Sequence, residues 1–110
     1  MDFERLAKKL ESSFIPENAK GVDAVVLLLI EGQEEESWLM EIDHLTCKIE
    51  RGSTANPRVS VRVSGNDLID LLSGKLDPMM AFFSGRVQVH GDRGFLMKLP
   101  AMFSTQGLVE

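Results

Sequence analysis

Few residues in this chain carry the side chains that acid–base, nucleophilic or metal chemistry needs. His44 and Cys47 form an HxxC pair, a spacing that could supply half of a structural zinc site. The only other histidine is His90 and there is no second cysteine, so carboxylates would have to complete the coordination. We therefore expect no metal site and no bound cofactor.

The sequence contains no clearly activated nucleophile. His90 and Asp92 could form a base and its orienting carboxylate, but no serine or cysteine has a sequence context that would activate it. Cys47 alternates with Leu45 and Ile49, which is typical of a small buried hydrophobe that faces inward. A hydrolase or metal enzyme that uses the two histidines or the cysteine is therefore the least favoured alternative, and we expect no enzymatic activity.

The acidic run Glu34, Glu35 and Glu36 lies in a predicted turn between two strands. Paired carboxylates hydrolyse glycosides when they flank a cleft on rigid elements, which a turn does not provide. We interpret this run as a solvated turn whose charge discourages the pairing of strand edges.

Composition excludes several further classes of function. A chain of 110 residues is expected to fold as one domain over residues 1–110. The net charge of −5 argues against nucleic acid or an anionic membrane surface as partner. The longest apolar run, residues 24–30, is far shorter than the roughly 20 residues of a membrane helix, so we expect no stable membrane insertion. One cysteine and an N-terminus without a signal-peptide pattern predict a cytoplasmic protein.

The elements that must position any site follow from periodicity. An amphipathic helix capped by Asp2 should end near Ser13, because Pro16 follows. Its apolar positions are Phe3, Leu6, Ala7, Leu10 and Phe14.

Four strands are predicted next. The stretch 22–30, which is continuously apolar from Ala24 to Ile30, is typical of a central strand covered on both faces. Residues 38–42, 45–49 and 59–63 alternate apolar with polar side chains. Because the links are short, we expect a meander or near-meander antiparallel sheet.

The remaining elements are marked by caps. Ser64 and Asp67 can form a capping box for a helix that ends at Gly74. Asp77-Pro78 begins a short helix that ends at Gly85. A fifth strand over residues 86–90 and a last helix after Asp92, kinked or split at Pro100, complete the order. The sequence therefore predicts an α+β two-layer domain in which helices cover a five-stranded, mostly antiparallel sheet.

The stretch from Ser64 to Phe103 holds four of the six methionines and four of the six phenylalanines. Its MMAFF helix has scarcely any polar side, so it is either fully buried or faces a cavity, a membrane or a partner. Methionine suits a site that adapts to varied ligands. An ordinary well-packed core is the alternative explanation.

The run from Leu68 to Asp92, centred on LLSGKLDPMMAFFSGRVQVHGD, resembles type-2 sterol carrier proteins, also called non-specific lipid-transfer proteins. The matching pieces are the leucine pair and glycine before Lys75, then LDPM, then Ser-Gly leading into a strand that ends His-Gly-Asp. The resemblance implies an apolar tunnel between sheet and helices that accepts fatty acids, fatty acyl-coenzyme A or sterols without covalent chemistry. An accessory or dimerisation module that presents lipid intermediates to a partner enzyme, with a homodimer as one form, is the alternative.

The many apolar residues of the stretch from Ser64 to Phe103 and the resemblance together suggest which residues contact a lipid. These are Leu28, Trp38, Leu72, Met79, Phe82, Phe83, Val89, Phe95, Leu99, Met102 and Phe103. The head group could reach one of four cations, Lys75, Arg86, Arg93 or Lys98, among which the sequence does not choose.

Overall fold

The computed structural model describes residues 3–104 and contains four helices, five strands and two 3₁₀ turns in that range. Their bounds are α1 Phe3–Ser12, a 3₁₀ turn Pro16–Ala19, β1 Ala24–Glu31, β2 Glu36–Asp43, β3 Thr46–Arg51, β4 Val59–Ser64, α2 Gly65–Leu72, α3 Pro78–Phe83, β5 Gln88–Gly91, α4 Arg93–Lys98 and a 3₁₀ turn Leu99–Met102. The predicted order of elements is confirmed, including the split of the last helix near Pro100.

The five strands form one mixed sheet in the order β3-β2-β1-β4-β5, with β1 in the centre as predicted. Three of the four pairings are antiparallel, but β1 and β4 run parallel, so the expected meander is wrong at β4. The link over residues 52–58 carries the chain from one edge of the sheet past β2 and β1. Seven residues at about 3.3–3.6 Å each reach across three strand spacings of about 4.8 Å.

The four helices within residues 3–104 pack on one face of this sheet. On that face Leu28 of β1 lies between Trp38 of β2 and Val61 of β4, and all three are buried in the same core as the apolar stripe of α1. This confirms the two-layer α+β architecture.

The opposite face of β1 carries Val25, Leu27 and Leu29. Val25 and Leu29 are only half-buried, and Leu27 is buried without belonging to the helix-packed core. Their cross-strand neighbours include the charged Glu41 and Arg62. The expectation that β1 is covered on both faces is therefore wrong, since two of the three residues on its second face are only half-buried.

The β2–β3 hairpin places two residues differently from the prediction. His44 and Leu45 form a two-residue turn with φ of 49° and 64°, and Leu45 is exposed instead of inward-facing. Asp43 and Thr46 close the turn, with the Thr46 hydroxyl donating to the Asp43 carbonyl oxygen at 2.8 Å. The inward-facing positions of β3 therefore begin at Cys47, two residues later than expected.

Helix α1 ends where Pro16 predicts, and its last turn contacts the edge of the sheet. Phe3, Leu6, Ala7 and Leu10 are buried, whereas the predicted cap Asp2 lies outside the described residues. The carboxylate of Glu11 accepts a hydrogen bond from the backbone N–H of Ile49 in edge strand β3 at 2.6 Å. This bond occupies a donor that would otherwise invite another strand.

Candidate functional site

Helix α3 leaves most of its large apolar side chains outside the core. Asp77 caps it by accepting from the Met79 N–H at 3.0 Å, and its only buried residue is Ala81. The carbonyl of Ala81 also accepts from the N–H groups of Arg86 and Val87, which ties the helix to the start of β5. The helix is therefore anchored through a small residue and a backbone turn.

An apolar groove lies beside this helix. It has a volume of about 290 Å³ and is bounded by α3, β5 and α4. Its lining residues are Pro78, Met79, Phe82, Phe83, Val89, Arg93, Gly94, Leu96 and Met97. Arg93 is the one polar side chain among them. Ligand pockets in proteins are mostly apolar with a few placed polar groups, and their volumes start at roughly 300 Å³.

A second apolar space lies deeper, between the sheet and the helices. It holds about 10 Å³, room for about one water molecule. Its lining residues are Leu28, Val61, Leu68, Leu71, Leu72, Pro78, Leu96, Leu99 and Pro100. Pro78 and Leu96 line both spaces and form the wall between them. The layers are thus almost closed where the tunnel is expected, and the larger apolar opening is the surface groove.

The start of α4 is fixed by Asp92. Its carboxylate accepts from the Phe95 N–H at 2.9 Å and from Arg58 Nε at 3.1 Å, and the first of these bonds is the main reason that its pKa is lowered. The guanidinium of Arg58 also lies over the Phe95 ring, 4.9 Å from its centroid. Arg93 follows Asp92 in the chain, and its guanidinium lies over the Phe82 ring, 4.4 Å from the ring centroid.

The predicted lipid-contacting residues divide into three groups. Met79, Phe82, Phe83 and Val89 line the groove, and Leu28, Leu72 and Leu99 line the deeper space. The other four, Trp38, Phe95, Met102 and Phe103, are buried elsewhere in the core. Whether any of them contacts a ligand stays a prediction.

Two buried rings show why the last group is separate from the groove. Trp38 packs against Phe3 of α1 with ring centroids 5.0 Å apart. Phe103 meets Phe14 edge-on at 5.7 Å, and these two residues also form a β-bridge.

Four groove residues are not among those predicted from the sequence, namely Pro78, Gly94, Leu96 and Met97. A signal for two of them is present in the sequence. Leu96 and Met97 lie off the stripe formed by Phe95 and Leu99, so α4, like α3, is apolar on more than one side. An apolar residue outside the buried stripe of a short helix therefore indicates a second apolar contact.

The residues that could do chemistry are not brought together within residues 3–104. No group of three metal-binding side chains occurs there, and His44 is almost fully exposed beside Asp43. Burial, and after it the charge of Glu11, raises the pKa of the Cys47 thiol to about 12, which makes it a poor nucleophile. Asp92 bonds to Arg58, so it does not orient His90.

A larger opening of about 670 Å³ lies at the β1–β2 turn, but apart from Phe3 and Ile30 it is lined by acidic residues, a glutamine and glycines. Glu36 accepts from Trp38 Nε1 at 3.0 Å and pairs with Arg51 at 3.2 Å, while Glu35 pairs with Arg62 at 3.0 Å. The acidic turn is therefore partly tied to neighbouring strands, and it joins two inner strands, so it protects no sheet edge. An apolar ligand would gain little binding free energy in this polar opening. The smaller apolar groove is therefore the better candidate for a ligand site.

Comparison with known proteins points to one family. A family model described as the SCP-2 sterol transfer family matches residues 3–104. Hydroxysteroid dehydrogenase-like protein 2 of Xenopus laevis is 27% identical over 93 residues, which are 84% of this chain and 22% of that protein. This chain spans about a fifth of the length of the curated relatives that it matches.

Two solved structures share the fold. The sec-alkylsulfatase Pisa1 from Pseudomonas sp. superposes with a TM-score of 0.86 at 18% identity, over 94% of this chain and 16% of that chain. The solution structure of palmitated SCP2L2 from Aedes aegypti gives a TM-score of 0.65 at 25% identity, over 90% of this chain and 87% of that chain. Within residues 3–104, no helix is long and apolar enough to cross a membrane.

Proposed function

The chain belongs to the SCP-2 sterol transfer family, and from that premise we propose that it binds and carries a lipid in the groove between α3, β5 and α4, without catalysis. The ligand class is a fatty acid, a fatty acyl-coenzyme A or a sterol-like molecule. The observation that carries the proposal is the groove itself, a space of about 290 Å³ in which eight of nine lining residues offer no charge or hydroxyl.

The solved relative described as palmitated supports an acyl chain as the ligand. The groove alone is at the small end of ligand pockets. A long chain would therefore also enter the deeper space, which requires the side chain of Leu96 to move away from Pro78. The family's apolar tunnel then corresponds to the groove and the deeper space joined together.

The energy of such binding fits a carrier. Burying about a dozen methylenes at roughly 0.8 kcal/mol each gives on the order of 10 kcal/mol. Association costs of roughly 4–15 kcal/mol offset much of this gain. We expect moderate affinity and shallow discrimination between chain lengths, so that the protein can release its ligand.

The first test is to identify what the protein carries. The protein is purified without added lipid, its mass is recorded under native conditions, and bound material is extracted with organic solvent and identified. A reproducible excess mass that resolves into a lipid supports the proposal. A clean apo mass together with no uptake of a fluorescent fatty acid overturns it.

Two variants on the same helix then locate the site. Phe83 lines the groove and Met80 does not, although both are largely exposed. Phe83→Asp places a charge in the apolar groove and should abolish uptake of the fluorescent fatty acid, whereas Met80→Asp should leave uptake unchanged. Equal uptake by wild type and Phe83→Asp, both folded by circular dichroism, would remove the groove as the site.

A second function, that of an accessory or dimerisation module, is favoured by the surface of α3. Met80 and Phe83 are 64% and 74% exposed, and exposed apolar patches mark interaction sites. The relatives that are several times longer than this chain fit a domain that works beside others. Sedimentation over a range of concentrations tests this function, because Met80→Asp should weaken self-association if a homodimer forms.

We also propose that the protein is cytoplasmic, since a single cysteine suits a reducing compartment.

A further inference from the structure

We propose that Arg93 binds the carboxylate of the lipid and makes the groove selective for fatty acids over neutral lipids of the same chain length. This inference rests on the proposed function, and it adds the residue that recognises the head group and the charge of the ligand. The basis is the position of Arg93 at the groove, its contact with Phe82 and the absence of an acidic partner for it among residues 3–104.

The structure separates the four cations that could reach a head group. Arg86 is held by Asp67, whose two carboxylate oxygens accept from Arg86 Nη2 at 2.6 Å and from Nε at 3.4 Å. Lys75 and Lys98 are exposed and do not line the groove. Arg93 does line it, so it is the cation that a ligand in the groove would meet.

Arg93 has no acidic partner among residues 3–104. The nearest carboxylate in sequence, that of Asp92, is bonded to Arg58 Nε and to the Phe95 N–H. These two bonds also lower the pKa of Asp92. The charge of Arg93 is therefore available to an external anion.

The contact with Phe82 places the guanidinium beside the groove. Its central carbon lies 4.4 Å from the ring centroid, within the range of a cation–π contact. A cation–π contact uses none of the guanidinium N–H donors in a conventional hydrogen bond, and these donors match the two oxygens of a carboxylate. Phe82 lines the groove as well, so a hydrocarbon chain along that ring would place its head close to Arg93.

The electrostatics favour a specific contact over a general attraction. The chain carries a net charge of −5, so its overall field repels fatty acids. Binding of a carboxylate at the groove then depends on a local cation. Because Arg93 is exposed, water screens the pair, and we expect an effect of about tenfold in affinity.

The test compares two ligands that differ only in the head group, palmitic acid and hexadecanol, below their aggregation limits. Wild type, Arg93→Gln, Arg93→Lys and the control Lys98→Gln, which changes a cation of the same helix outside the groove, are titrated with each ligand. Arg93→Gln should weaken palmitic acid about tenfold and leave hexadecanol unchanged. Arg93→Lys should restore part of the loss, and Lys98→Gln should match wild type.

The possible outcomes distinguish a failure of this inference from a failure of the proposed function. If Arg93→Gln weakens both ligands equally, or if Lys98→Gln has the same effect as Arg93→Gln, Arg93 does not recognise the carboxylate and the inference is wrong. If palmitic acid binds all four proteins alike, the inference also fails while lipid binding stands. If wild type binds neither ligand, the proposed function fails first.

Discussion

Gly91 lies so close to Arg58 that a β-carbon at position 91 would be 2.6 Å from the Arg58 carbonyl oxygen. That same oxygen accepts the N–H of Asp92 at 3.0 Å. Since Asp92 caps α4, the contact between the end of β5 and the start of β4 fixes where α4 begins. The placement of Arg93 and Leu96 in the groove therefore depends on a glycine that lines neither apolar space.

Gly91→Ala should destabilise the protein by about 1–3 kcal/mol and weaken lipid binding. The new side chain would clash with backbone, and the φ of 107° at this position is unfavourable for any L-residue. Urea unfolding and lipid titration check both effects. Gly85→Ala is the matched control, since Gly85 has a φ of 78° but nothing within 4 Å of its β-carbon position. If Gly91→Ala lowers the free energy of unfolding no more than Gly85→Ala does, the close contact with Arg58 does not contribute to the loss of stability.

The Cys47 thiol should be unreactive in the folded protein. Its pKa of about 12, set by burial and then by Glu11, leaves roughly a thousandfold less thiolate at pH 8 than an ordinary thiol has. Native protein mixed with a disulfide reagent at pH 8 should therefore react far more slowly than urea-unfolded protein. Rapid stoichiometric reaction of the native thiol would contradict the raised pKa of this partly buried side chain.

The same shift gives a sign for the effect of pH on stability. A thiol whose pKa is raised in the folded state favours the fold while it is neutral, so its contribution is fully present below the ordinary pKa near 8.5. It is lost progressively as the pH rises from there towards about 12. Cys47→Ala should remove this part of the alkaline loss of stability, measured by urea unfolding between pH 7 and pH 10.

Local signals in the sequence predicted the elements well because they act over a few residues. Ser64, Asp77 and Asp92 each accept from a backbone N–H of the helix that follows. Gly85 has the left-handed φ expected of a helix stop. Caps and turns of this kind depend on neighbours along the chain, which the sequence shows directly.

The pairing of β4 and the location of the site depend on residues far apart in sequence. β4 pairs in parallel with β1 across a separation of 33 residues, as in the pair Val26 and Val59, and no alternation pattern encodes that choice. Phe83 and Phe103 look alike in a helical pattern, yet one is exposed and the other is buried against Phe14. The composition indicated a site in this region, but only packing shows which apolar face is left open.

The β2–β3 turn is a place where the chain can be stabilised without touching the groove. His44 and Leu45 both have positive φ, a conformation that costs L-residues about 1–2 kcal/mol and that Asn-Gly adopts readily. The double variant His44→Asn, Leu45→Gly should therefore gain about 1 kcal/mol in urea unfolding. Its lipid titration should match wild type, because neither residue lines the groove or the deeper space. A drop in stability would show that the Leu45 side chain contributes more than the turn strain costs.

The wall between the groove and the deeper space predicts how chain length affects binding. Leu96 lines both spaces, so Leu96→Ala should join them and let a longer chain reach towards Leu28 and Leu72. Each additional buried methylene adds about 0.8 kcal/mol, or roughly fourfold in affinity. Titration with saturated fatty acids of increasing length should therefore show a steeper rise for Leu96→Ala than for wild type. Met97→Ala is the control, because Met97 lines the groove alone. If both variants shift all chain lengths equally, Leu96 is an ordinary lining residue and the two spaces do not join.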